Sequence, residues 1–232
     1  MPVTKLKQFL GGVKMPKIKI CGLMRRQDIE AVNMALPDYI GFVFAKSKRQ
    51  IDEAKAKALR VSLNPSIKVV GVFVNEDIRR IIKFCKSNII DIIQLHGDEN
   101  EGYIKSLRNC VSNKIIKAIR VKDPEDIEKG MEFSCDYLLF DTYHTGKYGG
   151  TGQSFDWSII PNIKKPYFLA GGINSDNIRR AIQHNPYCID VSSGVETNGY
   201  KDPEKIVKIV AMAKKLSDEL DVCYTSIIKA KR

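Results

Sequence analysis

The sequence predicts a single-domain α/β protein, a (β/α)8 barrel of the TIM type whose sixth helix is short or irregular. Three observations carry this expectation. Short β-rich apolar runs alternate with longer lysine-rich segments in which apolar residues recur at helical spacing. Most of the runs are largely apolar, as strands covered on both faces must be. Their starts recur roughly every 20 to 30 residues, the length of one βα unit, and a chain of 232 residues accommodates eight of them.

Taken in order, the run Lys17–Cys21 precedes a predicted helix over Arg25–Ala35, Tyr39–Phe44 precedes Ile51–Leu63, and Lys68–Val74 precedes Glu76–Ser87. Ile90–Leu95 leads to Glu99–Cys110 and Lys114–Ile119 to Pro124–Met131. Asn75 before Glu76 and Asp77, and Asp123 before Pro124, read as N-caps with acidic first turns. The sixth unit is the weak one. After Tyr137–Phe140, the stretch Gly146–Gly152 is loop and Pro161 and Pro166 interrupt the segment beyond it, leaving a short helical piece near Trp157–Ile160. Pro166–Ala170 then precedes Ser175–His184, with Asn174 or Ser175 as the cap, and Cys188–Val191 precedes Asp202–Leu220.

Composition narrows the class of function. With 44% hydrophobic and 28% charged residues and no apolar run near the length of a bilayer span, a globular chain without a membrane partner is expected. The six cysteines form no CxxC pair and no Cys/His cluster at zinc spacing, which predicts reduced thiols, no metal and a cytoplasmic location. Nothing near Met1 resembles a signal peptide. A net charge of +11 favours anionic ligands, whether phosphates, carboxylates or nucleic acid. The lysines and arginines are scattered along the predicted helices, however, and this suits a solvated basic surface better than a nucleic-acid interface.

In a (β/α)8 barrel the chemistry gathers where the strands end. Here those ends read Cys21-Gly22, then Lys46-Ser47-Lys48-Arg49 beyond the second strand, Gln94-Leu95-His96-Gly97, Asp141-Thr142, Gly171-Gly172 and Ser192-Ser193-Gly194. Glycines after the last two strands let backbone N–H groups approach a phosphate, and a following helix N-terminus adds favourable partial charge. Each pair alone would serve equally well as a tight turn; two at adjacent strands point to a phosphorylated small-molecule substrate.

The ordered strings KICG (Lys19–Gly22), GFVF with SKR (Gly41–Arg49), VGVFVNE (Val70–Glu76), QLHG (Gln94–Gly97), LLFDT (Leu138–Thr142), YGGTGQSFDW (Tyr148–Trp157), AGGIN (Ala170–Asn174) and DVSSGVE (Asp190–Glu196) resemble the phosphoribosylanthranilate isomerase family. The resemblance runs from Pro16 to the last helix, so residues 1–14 read as an N-terminal extension before a catalytic barrel of residues 15–232. It implies an Amadori rearrangement in tryptophan biosynthesis by general acid–base catalysis, without metal or organic cofactor, in a monomer or homodimer. It also implies that Cys21 is the base and Asp141 the acid, that Arg49 meets a substrate carboxylate, and that Gly171, Gly172, Asn174, Ser193 and Gly194 surround the phosphate.

Without the resemblance, these residues are more ambiguous. A lone cysteine is usually a small buried hydrophobe, but strand alternation puts Lys17, Lys19 and Cys21 on one face, and a cation below the thiol favours thiolate. Asp141 reads equally as a turn aspartate. The Arg49 fork suits a planar carboxylate, whereas Lys46 and Lys48 beside it read as a solvated basic loop. Lys19, Gln94 and His96 are expected to line the site, His96 as a packing residue rather than a proton carrier, and His144 and His184 to lie on the surface. The rivals are another phosphosugar barrel, whose histidine-pathway version would end strand one in a carboxylate rather than a cysteine, and a basic nucleic-acid module.

Overall fold

The computed structural model describes residues 16–143 and 154–214. Eight parallel strands close into a barrel in the order β1 to β8, with β1 pairing β8. They are β1 Lys17–Cys21, β2 Tyr39–Val43, β3 Lys68–Phe73, β4 Ile92–Leu95, β5 Lys114–Val121, β6 Tyr137–Thr142, β7 Tyr167–Leu169 and β8 Cys188–Val191. The helices are α1 Arg26–Ala35, α2 Glu53–Val61, α3 Ile78–Lys86, α4 Glu101–Arg108, α5 Pro124–Met131 and α6 Ile178–Gln183. Residues 203–214 are helical after β8, and among the described residues of the sixth unit the one helical piece is the 3-10 turn Trp157–Ile159, with Pro161 and Pro166 beyond it.

The elements fall where the alternation of apolar runs puts them, with two informative differences. Strands β5 and β6 run further than the apolar pattern, because Arg120 and Asp141 are strand residues paired in register at the barrel mouth. Asp141 therefore sits on a strand rather than a loop. The α5 helix spans Pro124–Met131 as expected, and the others start one to three residues late; for α2, α3 and α4 this is because their caps lie inside the expected spans, Asp52, Asp77 and Asn100 each accepting a backbone N–H from the first turn. Asn75 is not the cap expected before α3. It adopts φ 50°, and its side chain accepts from the Asp98 amide at 2.7 Å, so Asp77 takes the capping position. Asp123 caps α5 as expected, whereas α6 begins after Asn177 without a side-chain cap.

Burial divides into two shells. Outward-facing Ile18, Ile20, Phe42, Phe73, Ile93, Leu138 and their neighbours meet the helices in one continuous cluster. Inside the barrel, Tyr39, Val70, Ile92, Ile116, Leu139 and Phe168 form the second, with Tyr137 and Tyr187 packed against it. The Tyr39 and Tyr187 hydroxyls lie 3.0 Å apart, and the Phe168 ring sits 5.6 to 5.7 Å from those of Tyr39, Tyr137 and Tyr187, so aromatic rings floor the barrel at the strands' N-terminal ends. Above this floor the inward positions become polar.

Candidate active site

The strand pleat aims Lys19 and Cys21 of β1, Gln94 and then His96 after β4, Asp141 of β6 and Asp190 of β8 into the barrel mouth. A cavity of about 340 Å³ opens there, lined by Cys21, Gln94, His96, Asp141 and Asp190, with Lys46, Arg49, Gly171, Gly172 and Ser193 towards its rim. Lys17, the third residue of the Cys21 face, lies at the other end of the barrel and pairs with Asp38 at 3.3 Å.

At the base of the cavity, Lys19 Nζ donates to Asp190 Oδ2 at 2.7 Å, and both side chains are buried. Burial pulls the Lys19 pKa down, but the charges of Asp190 and Cys21 outweigh it and hold the ammonium above its ordinary range. Burial pushes the Cys21 thiol up, and Lys19 opposes that shift without cancelling it. The expected cation below the thiol is thus present and acts in the expected direction, yet desolvation is the stronger effect. Room for the thiol comes from Gly41 on β2, where a Cβ would stand 2.5 Å from Cys21 Sγ.

Across the cavity, Asp141 Oδ1 accepts from the Thr142 amide at 2.8 Å. Its Oδ2 lies 3.2 Å from His96 Nε2, close enough for an ion pair, but the angles do not make a hydrogen bond, and Nε2 is otherwise without a partner among the described residues. Gln94 Nε2 lies 2.8 Å from His96 Nδ1. With the amide donating there, the ring carries its hydrogen on Nε2, facing Asp141. His96 is buried and lines the site, and beneath its turn Lys117 Nζ donates to Gly97 O at 2.6 Å and to Glu99 at 2.8 Å, fixing the loop from the helix side of the sheet.

The two glycine loops touch. A Cβ on Gly194 would stand 2.0 Å from the Ile173 carbonyl oxygen, and Gly171 and Gly172 both adopt positive φ, 85° and 62°. Among the described residues, the amides of Gly172, Ile173, Ser193 and Gly194 donate no hydrogen bond. The Asn174 amide is different, because it is already taken by Asn177 Oδ1 at 2.9 Å. Beyond β2 the Arg49 stem lies over Gly22, where a Cβ would meet Arg49 Cδ at 2.4 Å.

Residues 18–212 match the family profile for N-(5'phosphoribosyl)anthranilate (PRA) isomerase. The chain belongs to the PRA isomerase family. It is 49% identical over 203 residues to the N-(5'-phosphoribosyl)anthranilate isomerase of Endomicrobium trichonymphae, an alignment covering 87% of this chain and all of that one. The Clostridium acetobutylicum protein of the same name is 48% identical over 206 residues, 87% of this chain and 99% of that one. Among solved structures, the Thermotoga maritima phosphoribosyl anthranilate isomerase superposes with a TM-score of 0.77 at 34% identity, covering 87% of this chain and 100% of the other. A second PRA isomerase structure, in complex with reduced 1-(o-carboxyphenylamino)-1-deoxyribulose 5-phosphate, gives 0.72 at 32% identity with the same coverage.

In this PRA isomerase fold the cavity gathers Cys21, Gln94, His96 and Asp141 with Arg49, Gly171, Gly172 and Ser193, whereas Lys19, expected to line the site, is fully buried beside Asp190, and Asn174 and Gly194 are not among the lining residues. His184 accepts Tyr167 through its carbonyl and is half-buried beside Trp157 rather than freely exposed, and His144, with most of YGGTGQSFDW, lies outside the described residues. Sequence reasoning passed over Asp190, Glu196 and Lys201. A signal for Asp190 existed: a lone aspartate at an inward position of an apolar strand calls for a buried cation, and Lys19 is its register partner on β1. No helix among the described residues is long and apolar enough to cross a membrane, and no group of three or more His, Cys, Asp or Glu among them is placed to hold a metal ion.

Proposed function

We infer that this chain catalyses the Amadori rearrangement of N-(5'-phosphoribosyl)anthranilate to 1-(2-carboxyphenylamino)-1-deoxyribulose 5-phosphate. The observation that carries this reading is the convergence of Cys21 and Asp141 on one cavity, with an arginine and four free backbone amides beside it. The amides of Gly172, Ile173, Ser193 and Gly194 receive the phosphate, with Gly171 shaping the turn. Asn174 contributes by ordering that loop through Asp176 and Asn177. Arg49 receives the anthranilate carboxylate.

Asp141 delivers a proton to the ribose ring oxygen as the C1–O bond breaks and the anilino nitrogen forms the Schiff base. The Cys21 thiolate then takes the proton from C2, and those electrons move through C1 to the nitrogen, giving the enolamine. Protonation at C1 and loss of the O2 hydrogen yield the ketone. The sequence balances without metal or organic cofactor. Lys19 stabilises the thiolate from below, and His96, held by Gln94, lines the site beside Asp141. The same reading makes residues 15–232 the catalytic barrel and 1–14 an extension, places the enzyme in the cytoplasm as a monomer or homodimer, and assigns the chain to tryptophan biosynthesis. A fluorescence assay with freshly generated phosphoribosylanthranilate tests it: consumption should far exceed the uncatalysed rate, and consumption no faster than the blank overturns the assignment.

A further inference from the structure

Glu196 and Lys201 have no part in the chemistry above, yet Lys201 is buried and Glu196 half-buried beside the cavity. They face each other across a small hairpin in which Glu196–Thr197 pairs antiparallel with Tyr200–Lys201, turned by Asn198 at φ 52° and Gly199 at φ 81°. Glu196 grips Arg49 along one edge of its guanidinium, accepting from Nε at 2.6 Å and from Nη2 at 2.9 Å. Lys201 Nζ donates to the same carboxylate at 2.6 Å and to the Ser192 carbonyl at 2.9 Å, next to the phosphate loop. The hairpin therefore ties the proposed carboxylate clamp to the loop at the other end of the substrate.

A guanidinium presents two edges on which a carboxylate can make paired hydrogen bonds, and Glu196 occupies only one. Among the described residues Arg49 Nη1 makes no hydrogen bond, so the other edge is open, and Arg49 lines the cavity. The charges fit as well: Arg49 and Lys201 against Glu196 leave one positive charge, the complement of one carboxylate. Displacing Glu196 from Arg49 would leave a half-buried carboxylate with Lys201 alone, so an incoming anion is better met at the free edge. We propose that Glu196, with Lys201 as its counter-charge, is a positioning residue that aims Arg49 and thereby selects substrates carrying the anthranilate carboxylate. The proposal rests on the reading of Arg49 as the carboxylate clamp.

Two ligands separate the possibilities: reduced 1-(o-carboxyphenylamino)-1-deoxyribulose 5-phosphate and its phenylamino analogue without the carboxylate. Their dissociation constants are measured by calorimetry for the wild type, Glu196→Ala, the isosteric Glu196→Gln, Arg49→Ala and the double variant Glu196→Ala/Arg49→Ala, with thermal unfolding as the check on folding. Each Glu196 variant should weaken the carboxylated ligand by about tenfold or more and the phenylamino ligand by less than about twofold, and adding Glu196→Ala to Arg49→Ala should change little further. Equal weakening of both ligands overturns the proposal in favour of a structural role for the hairpin. Tighter binding of the carboxylated ligand overturns it too, making Glu196 a competitor for Arg49. If Arg49→Ala itself fails to discriminate between the ligands, the clamp reading falls; if it discriminates and Glu196→Gln does not, only the positioning role falls.

Discussion

Replacing Lys19 by methionine probes the deepest charge pair of the barrel. The substitution keeps length and apolar volume but leaves Asp190 buried, with Oδ2 stripped of its 2.7 Å partner and Oδ1 already without a hydrogen bond. The orphaned carboxylate has two ways out: to stay charged, at a cost on the order of 3–5 kcal/mol for a broken buried pair, or to take up a proton. At pH 7 a carboxylate of ordinary pKa lies about three units above its titration, so protonation costs about 4 kcal/mol, and at pH 5 about 1.5 kcal/mol. Lys19→Met should therefore lose about 4 kcal/mol near neutrality and recover most of it at pH 5. The wild-type pair behaves differently. A lysine whose folded pKa is raised contributes fully below its unfolded pKa and is lost only as pH rises through the higher folded value, so the pair's contribution is flat from about pH 5 to 9. Urea unfolding at pH 5 and pH 7, for the single variant and for Lys19→Met/Asp190→Leu, supplies the test. Unchanged stability of the single variant at pH 7, or a loss that the double variant does not relieve, refutes the argument.

Gly41→Ala should displace the Cys21 thiol by roughly 1 Å, and a shift of that size costs on the order of 100-fold in kcat with KM little changed; steady-state kinetics giving wild-type kcat would separate Cys21 from the chemistry. Gly172→Val forces a β-branched residue to φ 62° within the proposed phosphate loop, so affinity for inorganic phosphate, read by competition, should fall by about tenfold or more. Cys21→Ser and Asp141→Asn should each lower kcat by about 10²–10⁴-fold. Substrate deuterated at C2 should show a primary isotope effect in the first and a muted one in the second; the opposite pattern would reverse acid and base. Because burial lifts the Cys21 thiol, kcat/KM should keep climbing with pH beyond the ordinary thiol range, and a profile flat above about pH 8 would mean that a group other than this thiol limits the rate.

The barrel was legible because its strands are predominantly apolar and evenly spaced, so the pattern survives small errors at each end. What misled was charge inside a strand. Arg120 and Asp141 look like loop residues in a linear reading, since nothing local distinguishes a strand that continues into a polar mouth from one that has stopped. Helix starts were misjudged for a related reason, because Asn75 and Asp77 both have capping side chains and only the contact of Asn75 with the distant Asp98 amide decides between them. Cys21, Arg49, Asp141, Gly171 and Gly172, singled out by strand-end position combined with the family strings, line one cavity. Partnerships between segments were not legible: that Arg49 is held by Glu196, 147 residues away, or that the Asn174 amide is spent on Asn177, depends on three-dimensional closure.

The aromatic floor has a bearing on traffic through the enzyme. With Tyr39, Tyr137, Phe168 and Tyr187 packed across the lower end of the barrel, molecules enter and depart by the upper mouth. Under the proposed reaction the rearranged sugar keeps both of its anionic handles, the phosphate and the benzoate, so whatever grips the incoming molecule grips the outgoing one with similar strength. Departure then becomes a candidate for the slowest event in the cycle, and accumulated product should inhibit by simple competition for the same doorway. Sustained throughput would depend on a downstream consumer drawing that product away.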